Sequence, residues 1–175
     1  QLTHSGRWSR TLGTPAPRTA QHHPILDARA GAGAESVLDD DELDQIVGRY
    51  IDAAVLAADA GFDFVDVKHC HGYLLHELLA ATDRPGRFGG ALDSRLGFLC
   101  KVVDGVRATR PDLAIGVRLS AFDFVPFEPG ADGRGTPMSD PGGWSPFGAA
   151  PDGVDVDLTE VHEAMARFRE LGIGM

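Results

Sequence analysis

Six consecutive residues, Lys68-His69-Cys70-His71-Gly72-Tyr73, collect five side chains able to move protons, donate hydrogen bonds or bind metal. Lysine and histidine can hold a developing oxyanion, and tyrosine can act as a general acid. His69 and His71 also form an H-x-H pair. On a strand such a pair turns both rings to one face and could ligate zinc. The plainer alternative is a polar rim of satisfied histidines. Only two of the sixteen basic residues are lysines, Lys68 and Lys101, so a lysine inside such a cluster is less readily put down to chance.

Three further clusters carry polar chemistry. Gln1 opens the run Q-L-T-H-S-G-R at residues 1–7. Its carboxamide can grip a heterocycle edge that presents both donors and acceptors, or it simply ends a polar strand. Arg118 interrupts an otherwise apolar run, L-A-I-G-V-R-L, at residues 113–119. A buried guanidinium there needs an anion, a carboxylate or an electron-rich ligand atom, and an internal salt bridge would serve equally. Residues 84–95, R-P-G-R-F-G-G-A-L-D-S-R, read as a tight loop followed by a helix start at Asp93. The doublet His22-His23 reads as solvated loop, Cys100 as core, and Asp39, Asp40 and Asp41 as acids opening a helix.

These clusters need elements to position them. The first six residues suit the end of a short strand, and residues 8–38 form a long loop rich in Pro and Gly. Leu43, Ile46, Val47, Tyr50, Ile51, Ala54, Val55 and Ala58 recur at helical spacing, and Gly61 stops that helix. Residues 62–67 (F-D-F-V-D-V) read as a strand leading into the Lys68 cluster, followed by a helix over 73–81. A second helix spans about 92–109 and ends at Pro111, then 113–119 forms a buried strand. Residues 121–157 form another loop, and the last helix begins near Asp157 or Thr159 and ends at Gly172. Strands alternating with helices indicate a parallel sheet covered by helices. Both long loops follow the carboxyl ends of strands, where α/β folds build their sites.

Composition narrows the function. The 175 residues carry a net charge of −10 and are 43% hydrophobic, a foldable chain without the basic face a nucleic-acid binder needs. The same charge argues against an anionic membrane surface, and no run approaches the roughly 18 apolar residues of a spanning helix. Two cysteines make no disulfide framework, so a cytoplasmic setting is expected. The abrupt start at Gln1 and the final L-G-I-G-M suggest a piece of a longer protein.

Taken in order, the clusters resemble the Old Yellow Enzyme family of FMN-dependent NAD(P)H oxidoreductases. The family motif Q-L-x-H-x-G-R is matched at residues 1–7. The A-G-F-D-x-V-(E/D) strand is matched at 60–66, and the H-G-Y-L-L that follows it at 71–75. The Y-G-G-S-L-E-N-R motif is matched loosely at 88–95, and V-R-(L/I)-S at 117–120. The resemblance implies an α/β fold, a TIM (β/α)8 barrel, of which residues 1–175 would be one partial FMN-binding domain. The chain would cover roughly strands three to five with their following helices. Half a barrel leaves parallel edges unpaired, and the strands that hold the flavin phosphate in the family lie outside it, so this length alone is expected to be unstable, to bind flavin poorly and to be inactive.

By position, the resemblance gives Gln1 the pyrimidine edge of the flavin and Arg118 its N1–O2 side. It gives His71 the substrate carbonyl oxygen and Tyr73 the proton for the α-carbon. The first histidine of the family's pair is replaced by Lys68. A lysine donates to an oxyanion as a point charge, which suits a more anionic ligand or changes which carbonyls bind. The implied reaction takes hydride from NAD(P)H through FMN to an activated alkene. The expected partner is a small-molecule substrate, with no nucleic acid and no membrane. The alternatives are a zinc-dependent barrel hydrolase built on His69 and His71, or a truncated relative without activity.

Overall fold

The computed structural model describes residues 1–138 and 144–174. A short 3-10 turn at Gly6–Trp8 leads into a hairpin of β1 (Arg10–Thr11) and β2 (Thr14–Pro15), followed by α1 (Pro24–Ala30). A second 3-10 turn, Ala34–Ser36, precedes α2 (Asp40–Asp59). Then come β3 (Phe64–His69), α3 (Leu74–Leu79), α4 (Leu92–Arg95), α5 (Gly97–Thr109) and β4 (Ala114–Leu119). A second hairpin, β5 (Phe127–Pro129) with β6 (Gly135–Pro137), and α6 (Thr159–Glu170) complete the order.

The acids at 39–42 explain why α2 starts where it does. Asp39 caps the helix by accepting the Glu42 N–H, and Glu42 reaches back to the Asp39 N–H. Three acids in the first turn also oppose the positive end of the helix dipole. The apolar stripe Leu43, Ile46, Val47, Tyr50 and Ala54 is buried as its spacing predicts. It packs on α5, whose buried residues are Phe98, Leu99, Val102, Val103 and Val106. Gly105 permits this approach, because a Cβ there would overlap the end of Ile51.

β3 and β4 pair in parallel, with Lys68 beside Arg118 and Asp66 beside Gly116. Leu2 bridges to Val67 on one side and Gly174 to Gly116 on the other, both in parallel. Four chain segments thus lie side by side in sequence order, as consecutive strands of a barrel wall do. The described residues close no barrel; their sheets are three two-stranded pairs.

Several expectations are corrected. β3 begins at Phe64 rather than Phe62, because residues 60–62 still close the end of α2: the Phe62 N–H donates to Ala57 O. The expected helix over 92–109 is broken at Leu96 into α4 and α5. The loop over 8–38 contains α1, begun by His23 and Pro24 and ended by Gly31 at φ 68°. Asp93 lies in the first turn of α4 without capping it; Ala91 holds the cap position, and Asp93 pairs with Arg167. His23, expected to be solvated, is buried: its ring caps α1, and Trp144 lies 4.5 Å away.

Candidate active site

Strand parity sorts β3 into two faces. Val65, Val67 and His69 point one way, into the core, with Ile115 and Val117 of β4. Phe64, Asp66 and Lys68 point the other way, with Gly116 and Arg118. Gln1 joins this second face: its Nε2 donates to Asp66 Oδ2 at 2.6 Å, while along the strand edge the Leu2 N–H donates to Asp66 O and the Lys68 N–H donates to Leu2 O. Gln1 and Arg118 are both exposed. The expected burial of Arg118 is therefore corrected: it stands exposed near the end of β4. Among the described residues no carboxylate lies within ion-pairing distance of Arg118.

Lys68 is 7% exposed, and its Nζ sits 3.4 Å from the centre of the Tyr73 ring. The ring face attracts the ammonium, so each side chain fixes the other. Tyr73 itself holds the position just before α3. His71 lies between them in sequence but leaves the strand. It is exposed and adopts φ 63°, and Gly72 does the same, which makes a left-handed turn. Two hydrogen bonds hold the turn: the His71 N–H donates to Ser120 Oγ at 3.3 Å, and the Gly72 N–H donates to His76 Nδ1 at 2.9 Å.

His76 is a positioning residue that sequence reasoning missed. It is buried at the first turn of α3, and burial lowers its pKa below the ordinary histidine value, partly offset by Asp123 at 3.9 Å. A neutral Nδ1 can then accept the Gly72 N–H. The available signal was its place four residues after Gly72. Behind it, Glu77 accepts the backbone N–H groups of Arg7 and Ala20 and pairs with the Arg7 guanidinium at 3.5 Å. Burial nevertheless pushes the Glu77 carboxyl upward.

The H-x-H pair does not assemble. His69 ends the strand facing the core, 2% exposed, with Nδ1 near Val67 O at 3.2 Å and Phe168 alongside. Burial drops its pKa to about 4. His71 is in the turn beyond. Among the described residues no group of three or more His, Cys, Asp or Glu could hold a metal ion. The zinc reading therefore has no ligand set.

A cavity of about 560 Å³ opens beside the turn. His71, His76 and Ser120 line one side, and Trp8, Phe122 and Phe124 supply aromatic walls. A larger cavity, about 810 Å³, lies between residues 37–41 and 83–87. It contains none of the expected site residues, and its Asp40 is taken by Arg84 at 2.9 Å and the Arg87 N–H at 2.6 Å. The smaller cavity is the one adjoining the chemistry. Gln1, Lys68, Arg118 and Tyr73 lie outside its lining, so the expected residues divide between the sheet face and the cavity wall.

Comparison with known proteins gives a consistent answer. The profile of the NADH:flavin oxidoreductase / NADH oxidase family matches residues 1–136. The chain is 36% identical over 133 residues to 12-oxophytodienoate reductase 1 of Oryza sativa subsp. japonica, covering 71% of this chain and 35% of that one. It is 33% identical to 12-oxophytodienoate reductase 2 of Arabidopsis thaliana, covering 70% and 36%. The chain thus spans about a third of the length of these curated relatives. Morphinone reductase, solved in complex with tetrahydroNAD, superposes with a TM-score of 0.53 at 28% identity, over 70% of this chain and 38% of that one. Histamine dehydrogenase from Rhizobium sp. 4-9 shares the fold at a TM-score of 0.60 and 24% identity, over 71% and 19%. Its structural neighbours are Old Yellow Enzyme-type TIM barrels, and this chain supplies a contiguous part of such a wall. The chain belongs to the NADH:flavin oxidoreductase / NADH oxidase family, the Old Yellow Enzyme family.

Proposed function

We propose that the protein is part of an FMN-dependent oxidoreductase that uses NAD(P)H to reduce an activated alkene. The observation that carries this reading is the face shared by Gln1 and Arg118, which ends at Lys68 and Tyr73. An exposed carboxamide and a guanidinium without a carboxylate partner suit the pyrimidine edge of a flavin. The carboxamide offers both donor and acceptor, and the cation offsets the negative charge that reduction places there. These residues fit FMN, and Gln1 and Arg118 are the ones that would hold it.

Held by Gln1 and Arg118, FMN would supply the hydride chemistry between NAD(P)H and the β-carbon of the substrate. Lys68 and His71 hold the activating carbonyl oxygen, where charge develops as that carbon accepts hydride. Tyr73 delivers its hydroxyl proton to the α-carbon. The alkene gains one hydride and one proton, and NAD(P)H is released as NAD(P)+. The Ser120 and His76 hydrogen bonds fix the turn that carries His71.

The test is an anaerobic visible spectrum of the full-length protein. Flavin bands that bleach with NADH or NADPH and return with cyclohexenone support the reading. A folded protein that stays colourless after incubation with FMN overturns it.

A further inference from the structure

His76 presents one ring atom to two rival partners. Its Nδ1 accepts the Gly72 N–H at 2.9 Å, and the same Nδ1 lies 3.9 Å from Asp123 Oδ2. The first contact needs a lone pair on Nδ1, so it exists only while the ring is neutral with its proton on Nε2. A protonated ring carries hydrogen on both nitrogens and can only donate. The Gly72 N–H would then face another donor, and the Asp123 carboxylate becomes the partner that fits. Asp123 is already aimed for that exchange: its Oδ1 accepts the Phe124 N–H at 2.9 Å, which leaves Oδ2 toward His76.

We infer that His76 is a proton-operated latch on the turn that carries His71, closed while the ring is neutral and released when it is protonated. Its consequence for turnover rests on the flavin reading above; the latch itself does not. His71 and Gly72 both sit at φ 63°, a conformation that is costly for a histidine and lasts only while its hydrogen bonds hold. Protonation takes away the Gly72 bond and leaves His71 tied to Ser120 Oγ at 3.3 Å. It also draws His76 toward Asp123, three residues beyond Ser120 in the segment after β4. The surrounding charges set when this happens. Burial lowers the His76 pKa, Asp123 opposes that, and His71 adds to it. His69, at the end of β3, is itself kept neutral by burial. Glu77 is engaged with Arg7 of the first 3-10 turn, and Arg95 of α4 with Glu160. His23 and Arg29 line the cavity from the side of α1. The latch is therefore closed at neutral pH and opens on the acid side of the ordinary histidine value.

The test uses the full-length protein carrying nitrogen-15 histidine, with the His76 signals assigned by their absence in His76→Asn. At neutral pH the ring should be neutral with its proton on Nε2, and acid titration should protonate Nδ1 as the Gly72 amide signal moves. Asp123→Asn removes the rival partner from a half-exposed position, which spares the fold, and should carry that transition to lower pH. In turnover of cyclohexenone, kcat/KM should fall as His76 is protonated, and Asp123→Asn should move the fall the same way. His76→Phe should lower kcat/KM about tenfold at neutral pH. His76→Asn, whose amide oxygen accepts the Gly72 N–H at any pH, should recover most of that loss and move the acid-side fall to lower pH. A ring protonated on Nδ1 at neutral pH, a transition that Asp123→Asn leaves in place, or an acid limb unchanged in His76→Asn overturns the inference. The expected titration in a protein without flavin bands supports the latch while sinking the flavin reading. Flavin bands that bleach with NADPH, beside a His76 already protonated on Nδ1 at neutral pH, do the opposite.

Discussion

The two faces of the β3–β4 pair differ more than any two helices of the molecule. On one, Val65, Val67, Ile115 and Val117 are all under 10% exposed and pack beneath the helices. On the other, Phe64 is 53% exposed, and Gln1, Asp66, Lys68 and Arg118 carry every polar group of the sheet's open side. Apart from Gln1, both faces come from the same twelve residues, six in each strand. The alternation of side chains lets neighbouring positions answer to different demands, burial for one and recognition for the next. Changes on the covered face should therefore be read in stability, and changes on the open face in binding.

The sharpest break of that contrast is Phe168→Ala. Phe168 is fully buried on α6, against His69. Its loss should cost about 3–5 kcal/mol in denaturant unfolding. His69 gives a pH-dependent version. Its folded pKa of about 4 lies below the ordinary 6.5, so the unfolded chain binds more protons between those values. Stability is full above pH 6.5 and falls as pH drops toward 4, by on the order of 2–3 kcal/mol from this group. His69→Phe should flatten that slope in unfolding measured across pH.

The open face should behave oppositely. Arg118→Leu should change stability by less than about 0.5 kcal/mol, since it removes no partner. FMN affinity should fall by about tenfold to a hundredfold, as read by fluorescence titration. The smallest expected effect is Gly116→Ala. A Cβ there meets the end of the half-exposed Phe64 ring, which can swing aside, and lies 3.3 Å from the Gly174 carbonyl oxygen, which must give by a few tenths of an ångström. The cost should stay below about 1 kcal/mol by thermal unfolding. A large loss there would mean that the open face is packed after all.

The alternation itself was legible in the sequence. Reading β3 as 62–67 missed its true start by two residues, but a two-residue shift keeps every side chain on its own face. The helical stripes of α2 and α5 were equally plain, because burial on one side enforces their spacing. Motif resemblance located Lys68, His71 and Tyr73, and the close Lys68–Tyr73 contact brings two of them together. The environment of Arg118 was not legible, because an apolar run does not say which of its two faces is covered. Nor was the His69–His71 separation: a left-handed turn at a non-glycine residue has no periodic signature, and it depends on Ser120, far along the chain. The helix α1 did carry Pro at its start and Gly at its end, but those residues are equally the marks of a loop.

The sideways order of Leu2, β3, β4 and Gly174 also bears on how the chain acquires its shape. Each segment pairs with the one that precedes it in the sequence. During synthesis, at about 5–20 residues per second, every arriving strand finds its neighbour already emerged. The slowest wait between partners is then a matter of seconds, set by the ribosome rather than by a search through distant pairings. The order of this wall thus lets assembly follow the direction of translation.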